Sequence, residues 1–227
     1  MIQDTYATEK KVILFDQVHL QYYTSERMQS AISSLNNTGE YIVFINRQRF
    51  TQTSLLGVDI LVVGCPGRPF TTQERIAISK YVKRGGNLFL LGDPCGKAVY
   101  LNEILATLEY TDAHFSEYVI NDEKHNLYNV STQIYISSEE LRRSSPITND
   151  IKEVVTHAIW VESEERTDVI ATGSNYSFAG LDGSTKPAWL VAFTIGRAHI
   201  VLCGSTRMFS DLKITRADNT WYQTRDN

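Results

Sequence analysis

Four apolar runs, alternating with segments of helical periodicity, fill the first hundred residues and restrict the fold more than any other feature of the chain. Lys11-Val12-Ile13-Leu14-Phe15-Asp16 is the first, and residues 41–45, 59–64 and 87–91 are the others. They are nearly continuous in Val, Ile, Leu and Phe, so they need cover on both faces. That is the pattern of parallel strands in an α/β sheet; a strand with one wet face would alternate apolar and polar residues. Between the first two runs, Met28, Ile32 and Leu35 recur at helical spacing and stop at Asn36-Asn37-Thr38-Gly39. A second helix opens on Thr71-Thr72-Gln73-Glu74, a hydroxyl followed three positions later by a carboxylate, and closes on Lys83-Arg84-Gly85-Gly86. A third is expected over 98–105. Strand and helix in alternation predict a largely parallel sheet with helices on both faces, and ligands in such sheets bind beyond the carboxyl ends of the strands.

Beyond residue 110 the periodicity weakens. Short strands are expected at 118–120, 133–136 and 158–161, and the stretch NYSFAGLDGSTK (175–186) reads as a surface loop. Residues 188–193 and 199–203 flank Gly196-Arg197 as a hairpin. No repeat or linker divides the chain, so residues 1–227 are expected to form a single domain.

The chain has 227 residues, 42% of them hydrophobic, and a formal net charge of -4, which suits a soluble domain with a sizeable core. An acidic balance gives no support to a nucleic-acid partner, whose phosphates need a basic face. No run of apolar residues is long enough for a membrane span, and no signal-type segment precedes the first strand. Three cysteines in a chain of this size make no disulfide framework. A cytoplasmic protein without a cofactor is the expectation.

Residues able to carry chemistry gather at the predicted carboxyl ends of the strands. Asp16 and His19 follow the first strand, Cys65 and Arg68 the third, Asp93 and Cys95 the fourth, and Cys203, Ser205 and Asp211 the last. Three thiols with His19 form a candidate zinc set, but no C-x-x-C pair is present, and cysteine also packs readily into tight strand ends. Asp93 and Asp211 are candidate ligand contacts or, alternatively, caps for the helices that follow. Gly64-Cys65-Pro66-Gly67-Arg68 lacks the glycine spacing of either nucleotide loop. The candidate binding set is therefore Asp16, His19, Arg68, Asp93, Cys95, Ser205 and Asp211.

Three segments together resemble one family. Phe70-Thr71-Thr72-Gln73-Glu74 through Gly85-Gly86-Asn87-Leu88 is similar to its block "PFTxxE…I…YVxxGGxLxLLGD". Ser145-Pro146-Ile147-Thr148 resembles "HPIT", with serine for histidine. Gly196-Arg197-Ala198-His199-Ile200-Val201, followed by Gly204-Ser205 and Met208-Phe209-Ser210-Asp211, resembles "GRVVVLGDSDMFSD". The family is the GIFT domain, shared by gliding-motility transporter components and an intraflagellar transport subunit. It lies within the class I glutamine amidotransferase-like fold, a flavodoxin-like three-layer sandwich. The resemblance implies a protein-binding module of a larger transport or motility assembly, with a sugar ligand among its implied partners; a homo-oligomer, formed through the sheet face or the C-terminal residues, is a separate expectation. In the family a long helix follows "DN"; here Asp218-Asn219 stands close to Asn227, so the chain is expected to be trimmed before that helix.

Amidotransferase relatives place a nucleophile in G-x-C-x-G and complete it with H-x-E. Gly92-Asp93-Pro94-Cys95-Gly96 sets Cys95 one residue late, and no H-x-E follows. A cysteine nucleophile needs a base to form its thiolate, so the expectation is a turn without amidotransferase chemistry. The alternative is a cysteine- or metal-dependent hydrolase built on Cys95, and its mark would be Cys95 within hydrogen-bond reach of His19 with a carboxylate behind it.

Overall fold

A computed structural model describes residues 9–211 apart from Thr167 and Asp182. The termini lie outside the described residues, and with them Asp218-Asn219 and the expected truncation. Strands β1 (Lys11–Asp16), β2 (Tyr41–Asn46), β3 (Ile60–Gly64) and β4 (Asn87–Leu91) alternate with helices α1 (Gln29–Asn37), α2 (Thr72–Lys83) and α3 (Ala98–Thr107), close to the periodicity reading. The expected first helix is split: Ser25–Arg27 forms a 3-10 turn, and α1 begins after it.

The middle of the chain is richer in strands than its sequence announces. It holds β5 (Ala113–Val119), β6 (Asn121–Asp122), β7 (Asn126–Leu127), β8 (Val130–Ser137), β9 (Glu153–Thr156) and β10 (Ile159–Ser163). There follow β11 (Val169–Thr172), β12 (Ser177–Ala179) and β13 (Ser184–Thr185), the last two inside the segment read as a loop. The hairpin of β14 (Ala188–Ile195) and β15 (Ala198–Cys203) turns on Gly196, whose positive φ of 61° suits glycine.

Seven strands form the main sheet in the order β11-β14-β15-β4-β3-β1-β2. From β2 to β15 all neighbours are parallel; β14 runs antiparallel to β15, and β11 antiparallel to β14. The sheet is thus mostly parallel, with a mixed edge. Successive side chains point to opposite faces. On one face Leu61, Val63, Leu88, Leu90, Ile200 and Leu202 pack with α2, α3 and the Phe50–Leu55 loop. On the other, Phe15, Val43 and Ile45 meet Met28 and Ile32 at α1, while Leu91 and Cys203 meet Ile134 and Ile136 of β8. Cover on that second face is therefore α1 at one end and antiparallel strands at the other, not helices throughout.

β1 is the point where the chain reverses direction across the sheet: α1 leads to β2 on one side, and the chain then returns to β3 on the other. Crevices at the carboxyl ends of strands on either side of such a reversal are where open α/β sheets take ligands.

The antiparallel pair β5–β10 is clamped over the carboxyl ends of β4 and β15. Ile159 N donates to Gly204 O at 2.9 Å, and Gly204 N to Trp189 O at 2.7 Å. The backbone of Ile159 approaches Gly204 so closely that a Cβ there would collide with the Ile159 carbonyl, and backbone cannot rotate away as a side chain can. Gly204→Ala is accordingly expected to cost about 3 kcal/mol, the upper end for overpacking. Gly196→Ala meets open space and carries only the strain of its φ, about 1 kcal/mol. Urea unfolding of the two variants checks the order.

Candidate functional site

The loops beyond β1, β3, β4 and β15 are held together by two buried carboxylates. Asp16 is fully buried at the end of β1. One oxygen accepts from Val18 N at 3.2 Å and Asn46 Nδ2 at 3.2 Å; the other meets His19 Nδ1 at 2.7 Å and accepts from Gln21 Nε2. The opposite ring nitrogen, His19 Nε2, lies 3.1 Å from Glu74 Oε1. His19 is 1% exposed, and its ring lies against Phe70 with centroids 3.8 Å apart. Both nitrogens face carboxylate oxygens, and only the doubly protonated ring gives an N–H to each.

Glu74 joins two jobs. Its position is the third of α2, where it completes a capping box with Thr71: Thr71 N donates to Oε2 at 2.9 Å, and Thr71 Oγ1 accepts from Glu74 N at 3.3 Å. It also accepts from Phe50 N at 3.3 Å and pairs with Arg49 at 3.2 Å. Burial by itself raises a carboxylate's pKa, but the Thr71 backbone and hydroxyl, His19 and Phe50 N–H together leave Glu74 below the ordinary glutamate range.

Asp93 is the second hub and is 2% exposed. It accepts from Cys95 N at 3.0 Å and Arg207 N at 3.2 Å, and from the hydroxyl of buried Tyr23. Here burial outweighs those bonds, and the Asp93 carboxyl is raised. Burial, then the Asp93 charge, also raises the Cys95 thiol. The Cys65 thiol is raised by the same two causes, and burial pushes Cys203 up to about 12. Cys203 Sγ donates to Ser205 O at 3.3 Å. Cys65 holds a left-handed φ of 42°, unusual for a residue with a side chain and the kind of strain that gathers at binding sites.

Between these hubs lies a cleft of about 490 Å³ at the crevice between β1 and β3. The β1 loop gives it Leu20, Gln21, Tyr22, Thr24 and Arg27; the turns after β3 and β4 give Cys65, Gly67, Cys95 and Gly96. Leu20 is 69% and Tyr22 50% exposed on its rim. Cys95 is the exposed thiol of the three cysteines.

The seven candidate residues fall into different places. Cys95 lines the cleft. Asp16 and His19 are buried outside its lining and bound to each other; Asp93, also buried, bonds Cys95 N. Arg68 N bonds His19 O at 3.1 Å. Ser205 is fully buried, with an unpartnered Oγ. Asp211 is at the start of α1, accepting from Ser30 N at 3.1 Å. Among the described residues no group of three or more His, Cys, Asp or Glu is placed to hold a metal ion, and no helix is long and apolar enough to cross a membrane. Sequence reasoning missed Glu74 as the partner of His19, and Arg27 altogether. The capping-box spacing marked Glu74 only as a helix start.

A scan against protein-family models and a search of curated proteins give no match. Among solved structures, one described as the mmIFT52 N-terminal domain is similar, with a TM-score of 0.71, 17% identity and coverage of 88% of each chain. A ThuA-like protein from Bacteroides uniformis is similar with a TM-score of 0.53 and 12% identity, covering 91% of this chain and 87% of its own. At these identities the likeness is one of fold. It supports the mostly parallel α/β sheet that the GIFT resemblance implies, though not the helices on both faces of a three-layer sandwich.

Removing His19 takes a buried partner from both Asp16 and Glu74 and opens a cavity between them. His19→Ala is expected to cost about 3–5 kcal/mol, read as a shift in the urea midpoint. Because Glu74 titrates lower in the folded state, its contribution is complete above the unfolded glutamate range and is lost as pH falls through the folded value. Glu74→Gln should flatten that acid limb of the stability profile.

Proposed function

We propose that the chain is a non-catalytic binding module of a larger transport- or motility-type assembly, engaging a protein partner at the carboxyl-end edge of its sheet. The observation that carries this reading is the allocation of groups at that edge. Both His19 nitrogens are taken by carboxylates, so His19 has none to offer Cys95 as a base. The thiol itself is shifted away from its thiolate. What faces solvent is instead an open cleft with apolar Leu20 and Tyr22 on its rim, the makings of a contact surface. The resemblance to the GIFT family and the likeness to a domain named for IFT52 support the assembly role.

Two measurements test this. Iodoacetamide should alkylate Cys95 slowly at neutral pH, with the rate climbing only above about 8.5, the ordinary thiol value; fast alkylation at neutral pH would restore the hydrolase. Tagged chain purified from its own cells should retain a partner that the double variant Leu20→Asp, Tyr22→Asp loses, read by mass spectrometry. Identical partners for both would sink the edge as the contact surface.

A further inference from the structure

Two of the three thiols at this edge come together in one wall of the cleft. Cys65, on the turn after β3, and Cys95, on the turn after β4, both line it. Gly96, the residue after Cys95, packs directly on Cys65. A Cβ at Gly96 would stand 2.7 Å from Cys65 Sγ and 3.5 Å from Cys65 Cα. Bond lengths along the chain then set the Cα atoms of Cys65 and Cys95 no more than about 9 Å apart. A disulfide spans up to about 6.8 Å between Cα atoms, so one turn has to shift by about 2 Å at most. The thiols also feel each other: burial and the Asp93 charge raise Cys65 most, and Cys95 adds to them.

The two sides of the pair are built differently. Cys65 is the buried, fixed side: its N donates to Leu91 O at 2.7 Å, and its left-handed φ holds the turn sharply bent. Cys95 is exposed, and its turn is lightly held. Cys95 N and Gly96 N donate to Asp93, and α3 begins at Ala98 without a side-chain cap. An oxidant from solvent therefore meets Cys95 first, with Cys65 behind it as the resolving thiol. Cys203 stands apart from both, fully buried with its Sγ donating to Ser205 O.

We propose that Cys65 and Cys95 are a dithiol–disulfide pair, whose bond straps the turn after β3 to the turn after β4 across the wall of the cleft. A hydroperoxide is the oxidant. One of its oxygens passes to the Cys95 sulfur, giving a sulfenic acid, and the rest leaves as an alcohol or, from hydrogen peroxide, as water. The Cys65 sulfur then attacks the Cys95 sulfur; the S–S bond forms and water departs. Two thiols thus give two electrons and two protons to one peroxide. Burial and Asp93 hold both groups as thiols, so the pair closes slowly at neutral pH and faster as pH rises. It stays open under reducing conditions, as transient intracellular disulfides do.

Hydrogen peroxide, added to the folded wild-type chain at about pH 7 and about pH 9, tests it. Free thiols are counted after unfolding in urea, and unreduced peptides are mapped by mass spectrometry. The count should fall from three to one, Cys203 being the thiol that survives, with one peptide pair joined through Cys65 and Cys95. The fall should be at least about tenfold faster at the higher pH, and dithiothreitol should restore all three thiols. Cys95→Ser, a change at an exposed position, should leave Cys65 a thiol under the same treatment. Cys95 ending as a sulfinic acid or joined to a second chain, with Cys65 still a thiol, overturns the proposal. So does loss of the Cys65 thiol in Cys95→Ser at the wild-type rate. Partner capture by the Leu20→Asp, Tyr22→Asp variant reads the binding edge separately, so either reading can fail alone.

Discussion

A histidine ring wedged between two buried carboxylates holds the working edge of this protein together. His19 ties the end of β1, through Asp16, to the start of α2, through Glu74, across 55 residues of chain. The same two acids fasten the ends of β2 and the loop after it, through Asn46 and Phe50 N. Buried charges survive only when paired and hydrogen-bonded, and nearly every oxygen here has two or more partners. The cost of burying them is offset by fixing loops that would otherwise be free. The β1 loop can then carry strained or exposed residues such as Leu20, with a φ of 53°, without losing its place.

That arrangement also decides which groups remain available. A carboxylate–imidazole pair at a strand end suggests a catalytic base, and the sequence presents Asp16 and His19 three residues apart. Glu74 changes the meaning of the pair. With a carboxylate on each nitrogen the ring becomes a bridge, and the charged side chain left lining the cleft is Arg27, which has no motif.

The legibility of the chain follows the range of its interactions. Strands β1 to β4 and helices α1 to α3 could be read because each is specified by its own apolar pattern and stop signals, such as Gly85-Gly86 after α2. The middle could be read only in part: the expected strands at 133–136 and 158–161 fall on β8 and β10, and the one at 118–120 on the end of β5. Asn121–Asp122 pairs with Ser177–Phe178, more than fifty residues later, and strands of two or three residues have no period to detect. β11 joins the main sheet through irregular register with β14, and Val169–Thr172 is too short to announce it. Asp16, His19, Asp93 and Cys95 could be placed beyond the carboxyl ends of β1 and β4 because those strands were legible. The bond from Gln21 to Asp16 exists only in three dimensions.

The position of β15 in the sheet has a consequence for how the molecule comes into being. It lies between β4 and β14, and its register with β4 joins Cys203 to Leu91 across more than a hundred residues. During synthesis β4 must wait as an open apolar margin until β15 emerges. Closure of so long a loop is slow, and an exposed margin of this kind is where chains associate wrongly. Arg207, which bonds Asp93, arrives on the turn just after β15. Completion of the sheet and completion of the Asp93 hub are thus the same late event, so a nascent or cleaved chain lacking that strand has neither.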